Sequence, residues 1–364
     1  MRRLAAILLV IVALTPLLWV REDPLLPSGP MRIRFVPLST KTVDARQLGP
    51  FRLEKAWAID DLSHRYGSYS GLVALGKGRL FSVSDTGNSL EFSAPDAAER
   101  APGIGGRVVY NQADKYHMDA EAATYDPATS QVWVAFEFSN IVTRFTLRDG
   151  KLVDNKPVHP PAMRDWGNNT GPESFARLSD GRFLAIREGF VSLLDRKRHS
   201  AVLFATDPAR DPNTAKMFTF VGPSGFSPTD ATQLPDGRVL VLMRRVVWPM
   251  PPRFGGAIVI GDPAAIREGR EWPVRTLATW SGGLPVDNFE GLAIEPPSDP
   301  ESEEPLTIWV ISDDNRAALQ RAVLWKLRLD PADLPPLKRN EGKQKGARDV
   351  RTPPVSDQPG KAGL

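Results

Sequence analysis

One design, repeated five times, constrains this chain more than any other feature. Each copy sets a polar residue, a short apolar strand, a Gly- or Asp-containing turn, and a second strand that ends in a charged residue. The copies occupy 70–85, 121–137, 173–188, 230–244 and 290–313, with starts 51, 52, 57 and 60 residues apart. Strands of this length joined by Asp180-Gly181 and Asp236-Gly237 read as tight hairpins. Each period holds two further strand-like stretches: after the second unit come 141–147 and a Pro-rich return, and after the fourth come 257–260 and 274–280. Four-stranded units repeated in this way predict an all-β fold, a β-propeller of four-stranded blades. The last unit supplies three strands, ending over 322–329, so 51–59 near the start is expected to complete its blade. Five blades follow from the count; a sixth, built from 31–38 and divergent insertions, is the alternative. A pair of β-sandwiches would not explain one period repeated five times.

The domain is expected over residues 31–334, preceded by a segment at 1–23 and followed by a tail at 335–364. Of the 364 residues 34 are proline, which excludes a long-helix or coiled-coil protein. Cysteine is absent, which removes disulfides, thiol nucleophiles, zinc fingers and iron–sulfur clusters. The formal net charge of +3 suggests a nucleic-acid partner until it is located. Seven basic against three acidic residues lie in 335–364, and three Arg against Glu22 and Asp23 lie in 1–23, which leaves the body at −2. No nucleic-acid face is therefore expected, and the Pro- and Lys-rich tail reads as disordered. Met1-Arg2-Arg3 followed by an uncharged run over 4–20 has the pattern of a signal peptide or an uncleaved signal anchor. Either reading implies export, to the periplasm or to an inner-membrane tether through 4–20 facing it. The body is expected to be a monomer.

In a propeller the innermost strands converge on the axis, so residues repeated at equivalent positions form rings. Ser70, Glu121, Glu173, Asp230 and Glu290 open the units; Asp85, Glu137, Glu188, Arg244 and Asp313 end the second strands. A hairpin brings both sets to one edge of the sheet. Carboxylates gathered at one mouth repel unless compensated. Calcium is the natural counter-charge, because hard cations take oxygen ligands and neither thiols nor clustered imidazoles are present. Arg187, Arg244 and Arg245 offer further neutralisation and a fork suited to phosphate or carboxylate. The plainer alternative is that these acids hold loop N–H groups and pin blade to blade. A nucleophile elbow, an H-E-x-x-H pair, a P-loop and a dinucleotide fingerprint are all missing. Of the four histidines, His117 alone sits close in sequence to a ring residue.

Taken together, Ser70-Gly-Leu with Ser84-Asp85, Asp119-Ala-Glu121 with Glu137, Asn169-Thr-Gly-Pro-Glu173, Leu240-Val-Leu-Met-Arg244, and Asn288-Phe-Glu290-Gly-Leu with Ser312-Asp313-Asp314-Asn315 resemble the phytase-like domain family, described as "esterase-like activity of phytase". The resemblance spans roughly 55–330. It implies an exported propeller that hydrolyses a small-molecule phosphate or carboxylate ester by metal-assisted attack of water. It also implies Asp85, Glu121, Glu173, Asp230, Glu290 and Asp313 around the cation. Glu137 or Glu188 would carry the proton, Arg244 would clamp phosphate, and Arg187, Arg245, Asn169 and Asn288 would stand near substrate. One departure is Met243, where the family pattern often carries an acid before the Arg. The reading from a different class is a non-catalytic envelope propeller, a binding or scaffolding module with a structural calcium ion.

Overall fold

A computed structural model describes residues 3–10, 29–61, 66–108, 119–192, 194–249, 252–282, 285–297, 304–317 and 319–336. Contacts gather 1–333 into one unit and 334–364 into another, of which 334–336 are described. Most of the apolar run at 4–20, His117, and nearly all of the basic tail lie outside the described residues. Residues 3–10 are helical, and among the described residues no helix is long and apolar enough to cross a membrane.

Five sheets, antiparallel throughout their first four strands, form five blades. Their inner strands are Tyr69–Gly76, Ala120–Asp126, Pro172–Arg177, Ser227–Gln233 and Asn288–Ile294, each opening one repeat. Each pairs with the second strand of its repeat, so the hairpin expected from sequence is the inner half of every blade. Phe51–Asp61 pairs with Val323–Leu329 and supplies the fourth strand of blade 5, closing the ring between the two ends of the domain. No sixth blade forms from the segment at 31–38. Ile33–Leu38 adds instead to the outside of Phe51–Asp61, and Gly29–Met31 adds to the outside of blade 1. Blade 3 also gains a fifth strand, Glu271–Pro273, which runs parallel to Ala215–Val221.

The core lies between blades rather than within one, because each sheet is apolar on both faces and must bury both. Leu72, Phe92, Trp309 and Leu324 fill the gap between blades 1 and 5, while Val83, Val134 and Phe136 fill that between 1 and 2. Phe175, Phe183 and Trp133 join blades 2 and 3, and Ile186, Val241 and Trp272 join 3 and 4. Trp280, Phe289 and Trp325 pack at centroid distances of 4.5 to 6.2 Å between blades 4 and 5.

Every inner hairpin carries a register irregularity near its first residues. The skipped residues are Ser70, Glu121, Glu173, Thr229 and Glu290. An inserted residue is left out of the ladder and its side chain is re-aimed. The residue that follows faces the crowded axis and is small in four blades: Gly71, Ala122, Ser174 and Gly291. At Gly71 a Cβ would lie 2.8 Å from the backbone nitrogen of Ala123, closer than neighbouring blades can accommodate without shifting.

Candidate metal centre at the axial mouth

The repeated irregularity gives each blade the same three-residue device. Two residues before the bulge, a backbone position pairs with the ring residue at the end of the second strand. Thus Asp85 N donates to Ser68 O, Glu137 N to Asp119 O at 2.9 Å and Glu188 N to Gly171 O at 3.0 Å, while Arg244 pairs with Ser227 and Asp313 with Asn288. Both rings therefore open at one end of the axis. Asp85, Asp119, Glu121, Glu137, Glu173, Glu188, Glu290 and Asp313 interact electrostatically there in one continuous network. Arg244 enters it as a cation, 3.2 Å from Glu188 Oε1 and 3.3 Å from Glu290 Oε1.

Burial and mutual repulsion hold Asp85, Glu121, Glu137, Glu173, Glu290 and Asp313 above their ordinary range. Desolvation first, then the charges of Glu290 and Asp119, pushes Asp85 up to about 8. Burial pushes Glu137 up to about 7 even though Gly171 N donates to its Oε1 at 3.2 Å. Glu290 reaches about 7, again through burial, with Arg244 and the Nδ2 of Asn288, 2.6 Å from its Oε1, pulling the other way. Glu121, Glu173 and Asp313 are all raised well above their usual values, burial being the largest cause in each. Arg244 is held more firmly protonated by Glu290, Glu188 and Glu173, against the cost of its own burial.

Two groups of acids bring one oxygen each to within 4.8 Å of one another: Asp119, Glu121 and Glu137, and Glu137, Glu173 and Glu188. Glu137 belongs to both. Asp85 Oδ1 is buried with no hydrogen-bond partner among the described residues, as is Asn288 Oδ1. The donors are all oxygen and Arg244 offsets only part of their charge, which fits a hard divalent cation.

Other expected site residues are placed elsewhere. Asp230 is one residue past the bulge of blade 4, so Thr229 occupies its ring position. Its carboxylate instead fills the space left by the small axial residues of the other blades and accepts from Ala231 N at 2.8 Å and Leu292 N at 2.7 Å. With burial its largest influence, it too is raised well above the usual range. It forms the floor beneath the acids; Ala231, Leu292 and Leu72 beyond it line a cavity of about 250 Å³ at the opposite mouth. Arg187 is turned to Thr170, donating to its carbonyl at 3.0 Å and its hydroxyl at 2.8 Å. Arg245 is exposed and lies over the Phe226 ring at 4.6 Å, and Asn169 is an exposed loop residue. Asp119 was not expected among the ligands. Its position two residues before Glu121, repeated by Asn288 before Glu290, is the signal that finds it.

The family pattern described as "Phytase-like: Esterase-like activity of phytase" matches residues 64–316, more than half of the chain. The chain belongs to the phytase-like family. Every acid of the mouth network falls within the matched span, and Met243, the departure in blade 4, is buried in the core between blades 3 and 4. No curated protein matches the sequence. Among solved structures, a glucose dehydrogenase is similar at 12% identity, covering 72% of this chain and 96% of that one with a TM-score of 0.40. The hydrazine synthase of Kuenenia stuttgartiensis is similar at 13%, covering 68% and 77% with a TM-score of 0.38. The WD40 propeller domain of Doa1 is similar at 12%, covering 78% and 98%, also at 0.38.

For this phytase-like protein the raised carboxyls fix the sign of a pH dependence. An unfolded chain releases these protons near pH 4 (about 3.9 for Asp, 4.3 for Glu), whereas the folded mouth keeps several of them until about 7 to 8. The folded state binds more protons across that window, so stability falls as pH rises through it and levels off above. Acids held low by ion pairs, such as Asp96 and Asp180, act below the window. Melting in chelator is expected to drop between pH 5 and pH 8, and saturating Ca²⁺ to remove most of the drop. A chelated melting temperature that rises across this range would contradict the assignment.

Proposed function

We propose that this phytase-like chain is a metal-assisted hydrolase of phosphate esters or related esters, with the reaction at the acidic mouth. The observation that carries the reading is the pair of three-carboxylate groups sharing Glu137, with Arg244 at their edge. Asp119, Glu121, Glu137 and Glu173 would hold Ca²⁺, with Asp85, Glu290 and Asp313 lending charge from behind. When bound, the cation would neutralise substrate phosphate and favour ionisation of the attacking water. Arg244 is partly exposed and, among the described residues, its side chain is held by ion pairs to Glu188 and Glu290, so its fork can turn to a phosphate oxygen as substrate enters. Glu188, beside Arg244, would accept the proton that water loses as its oxygen bonds phosphorus. The ester P–O bond would break on the far side, and the leaving oxygen would take its proton from solvent water at the open mouth. Asp230 and the small axial residues close the floor, so substrate would enter from the mouth alone.

A second reading is favoured by a different observation. The same acids also hold backbone: Glu137 accepts from Gly171 N, and Asp313 Oδ1 from Asn315 N at 2.6 Å. A propeller using its cation only to tie these loops would be a binding or scaffolding module. Assays on p-nitrophenyl phosphate, p-nitrophenyl acetate and phytate, with Ca²⁺ and with chelator, separate the two. The hydrolase reading expects chelator-sensitive turnover of at least one; no turnover together with chelator-sensitive melting would replace it with the second.

A further inference from the structure

In blades 1, 2 and 5 the second strand stops at its ring residue or just before it: Arg79–Ser84, Gln131–Phe136 and Leu306–Asp313. Blades 3 and 4 differ. Phe183–Ser192 continues past Glu188, and Val239–Pro249 continues past Arg244, each returning through a long partner strand, Asp195–Phe204 and Pro252–Gly261. Two hairpins therefore project above the mouth on neighbouring blades. They are held together at their base by the loop between the blades. Gly225 N donates to Arg196 O at 2.6 Å, Gly222 N donates to Lys197 O at 2.9 Å, and the guanidinium of Arg245 covers Phe226 from the other side.

The projecting parts carry aliphatic side chains in water. Leu194 is 99% exposed, Val191 54%, Val246 56% and Val247 46%. Exposed cations flank them: Arg196 and Lys197 on one hairpin, Arg245 and Arg253 on the other. The nearby acids Asp195 and Glu271 are both engaged by Arg198. Aliphatic tips ringed by Arg and Lys are the composition of a surface that enters the headgroup layer of an anionic bilayer. The positive charge is local, since the body as a whole carries −2. The same chain holds an uncharged apolar run at 4–20 that would bring the body to such a surface.

We infer that the paired hairpins of blades 3 and 4 dock on an anionic lipid bilayer, Leu194, Val191, Val246 and Val247 entering it and the cations meeting lipid phosphates. The mouth is then held beside the headgroups. This holds whether or not the mouth is catalytic, so failure of the hydrolase reading leaves it standing.

The absence of cysteine makes the test direct. In the full chain, Leu194→Cys, Val246→Cys and, on the outer strand of blade 3, Met217→Cys are each labelled with an environment-sensitive fluorophore. They are then mixed with vesicles of phosphatidylcholine containing or lacking one-third phosphatidylglycerol. Labels at 194 and 246 are expected to shift to the blue and to be quenched by brominated acyl chains on the anionic vesicles, while the label at 217 does neither. Because residues 4–20 deliver all three labels alike, this contrast reports the docking face and not the tether. Adding Arg196→Glu with Lys197→Glu to Leu194→Cys is expected to abolish the shift. The inference is overturned by equal responses at all three positions, by no response at 194 and 246, or by a shift that survives the charge reversal. It is also overturned by a shift that appears without vesicles and vanishes on dilution, which would mark a second copy of the chain as the occupant.

Discussion

Replacing Glu137 with Gln is expected to stabilise the metal-free protein above about pH 7 while destroying its response to Ca²⁺. The two effects have opposite signs because Glu137 is costly without a cation and shared by both acid groups with one. Its ionised form is disfavoured by burial and by Asp119 and Glu188, and the amide removes that charge while its oxygen can still accept from Gly171 N. Losing a ligand common to both groups would weaken Ca²⁺ binding by at least on the order of a hundredfold, and turnover with it. Melting curves of the wild type and Glu137→Gln at pH 8, with chelator and with Ca²⁺, give both signs at once. A variant that melts below the wild type in chelator yet gains the same Ca²⁺ shift would mean that Glu137 serves only the loop at Gly171.

Asp230→Ala is expected to cost stability without touching cation affinity. The carboxylate is fully buried and holds the N–H groups of Ala231 and Leu292, from its own blade and from blade 5. Truncation leaves both donors unsatisfied in a dry place, at about 1 to 3 kcal/mol each, so a loss of roughly 2 to 6 kcal/mol follows. Asp230→Asn retains one acceptor and is expected to lose about half as much. Urea unfolding gives the first quantity and calorimetric Ca²⁺ titration the second. Should Ca²⁺ affinity collapse while stability holds, Asp230 would be a ligand after all, as the repeat spacing alone suggests.

These two residues show where the sequence is legible and where it is not. Strand period, hairpin turns and the five-fold spacing are local signals, and they identify the inner hairpins and the closing role of Phe51–Asp61. A bulge is decided by how neighbouring blades crowd the axis, so its register in blade 4, on Thr229 rather than Asp230, is a tertiary outcome. The alternation of strand side chains explains the arginines. Arg244 is on the mouth side, while its neighbour Arg245 is thrown to the outer face and onto Phe226. Arg187, adjacent to Glu188, is turned to Thr170 for the same reason. Asp119 is signalled only by its match with Asn288; Ser68, Gly171 and Ser227 stand at that position in the other blades, because the repeat specifies its backbone there. The extra edge strands at Gly29–Met31 and Ile33–Leu38 carry no repeat signal; they are defined only by the outer edges they cover.

The central claim is that the acidic mouth of this phytase-like propeller is built around cations. Crystals soaked in Ca²⁺, or in Mn²⁺ for a stronger signal, and measured for anomalous scattering test it most directly. Density is predicted between Asp119, Glu121 and Glu137, and between Glu137 and Glu173, about 2.3 to 2.6 Å from their oxygens for Ca²⁺. A fully occupied soak that leaves both positions without anomalous density would contradict it, and would leave the acids as partly protonated pins between blades.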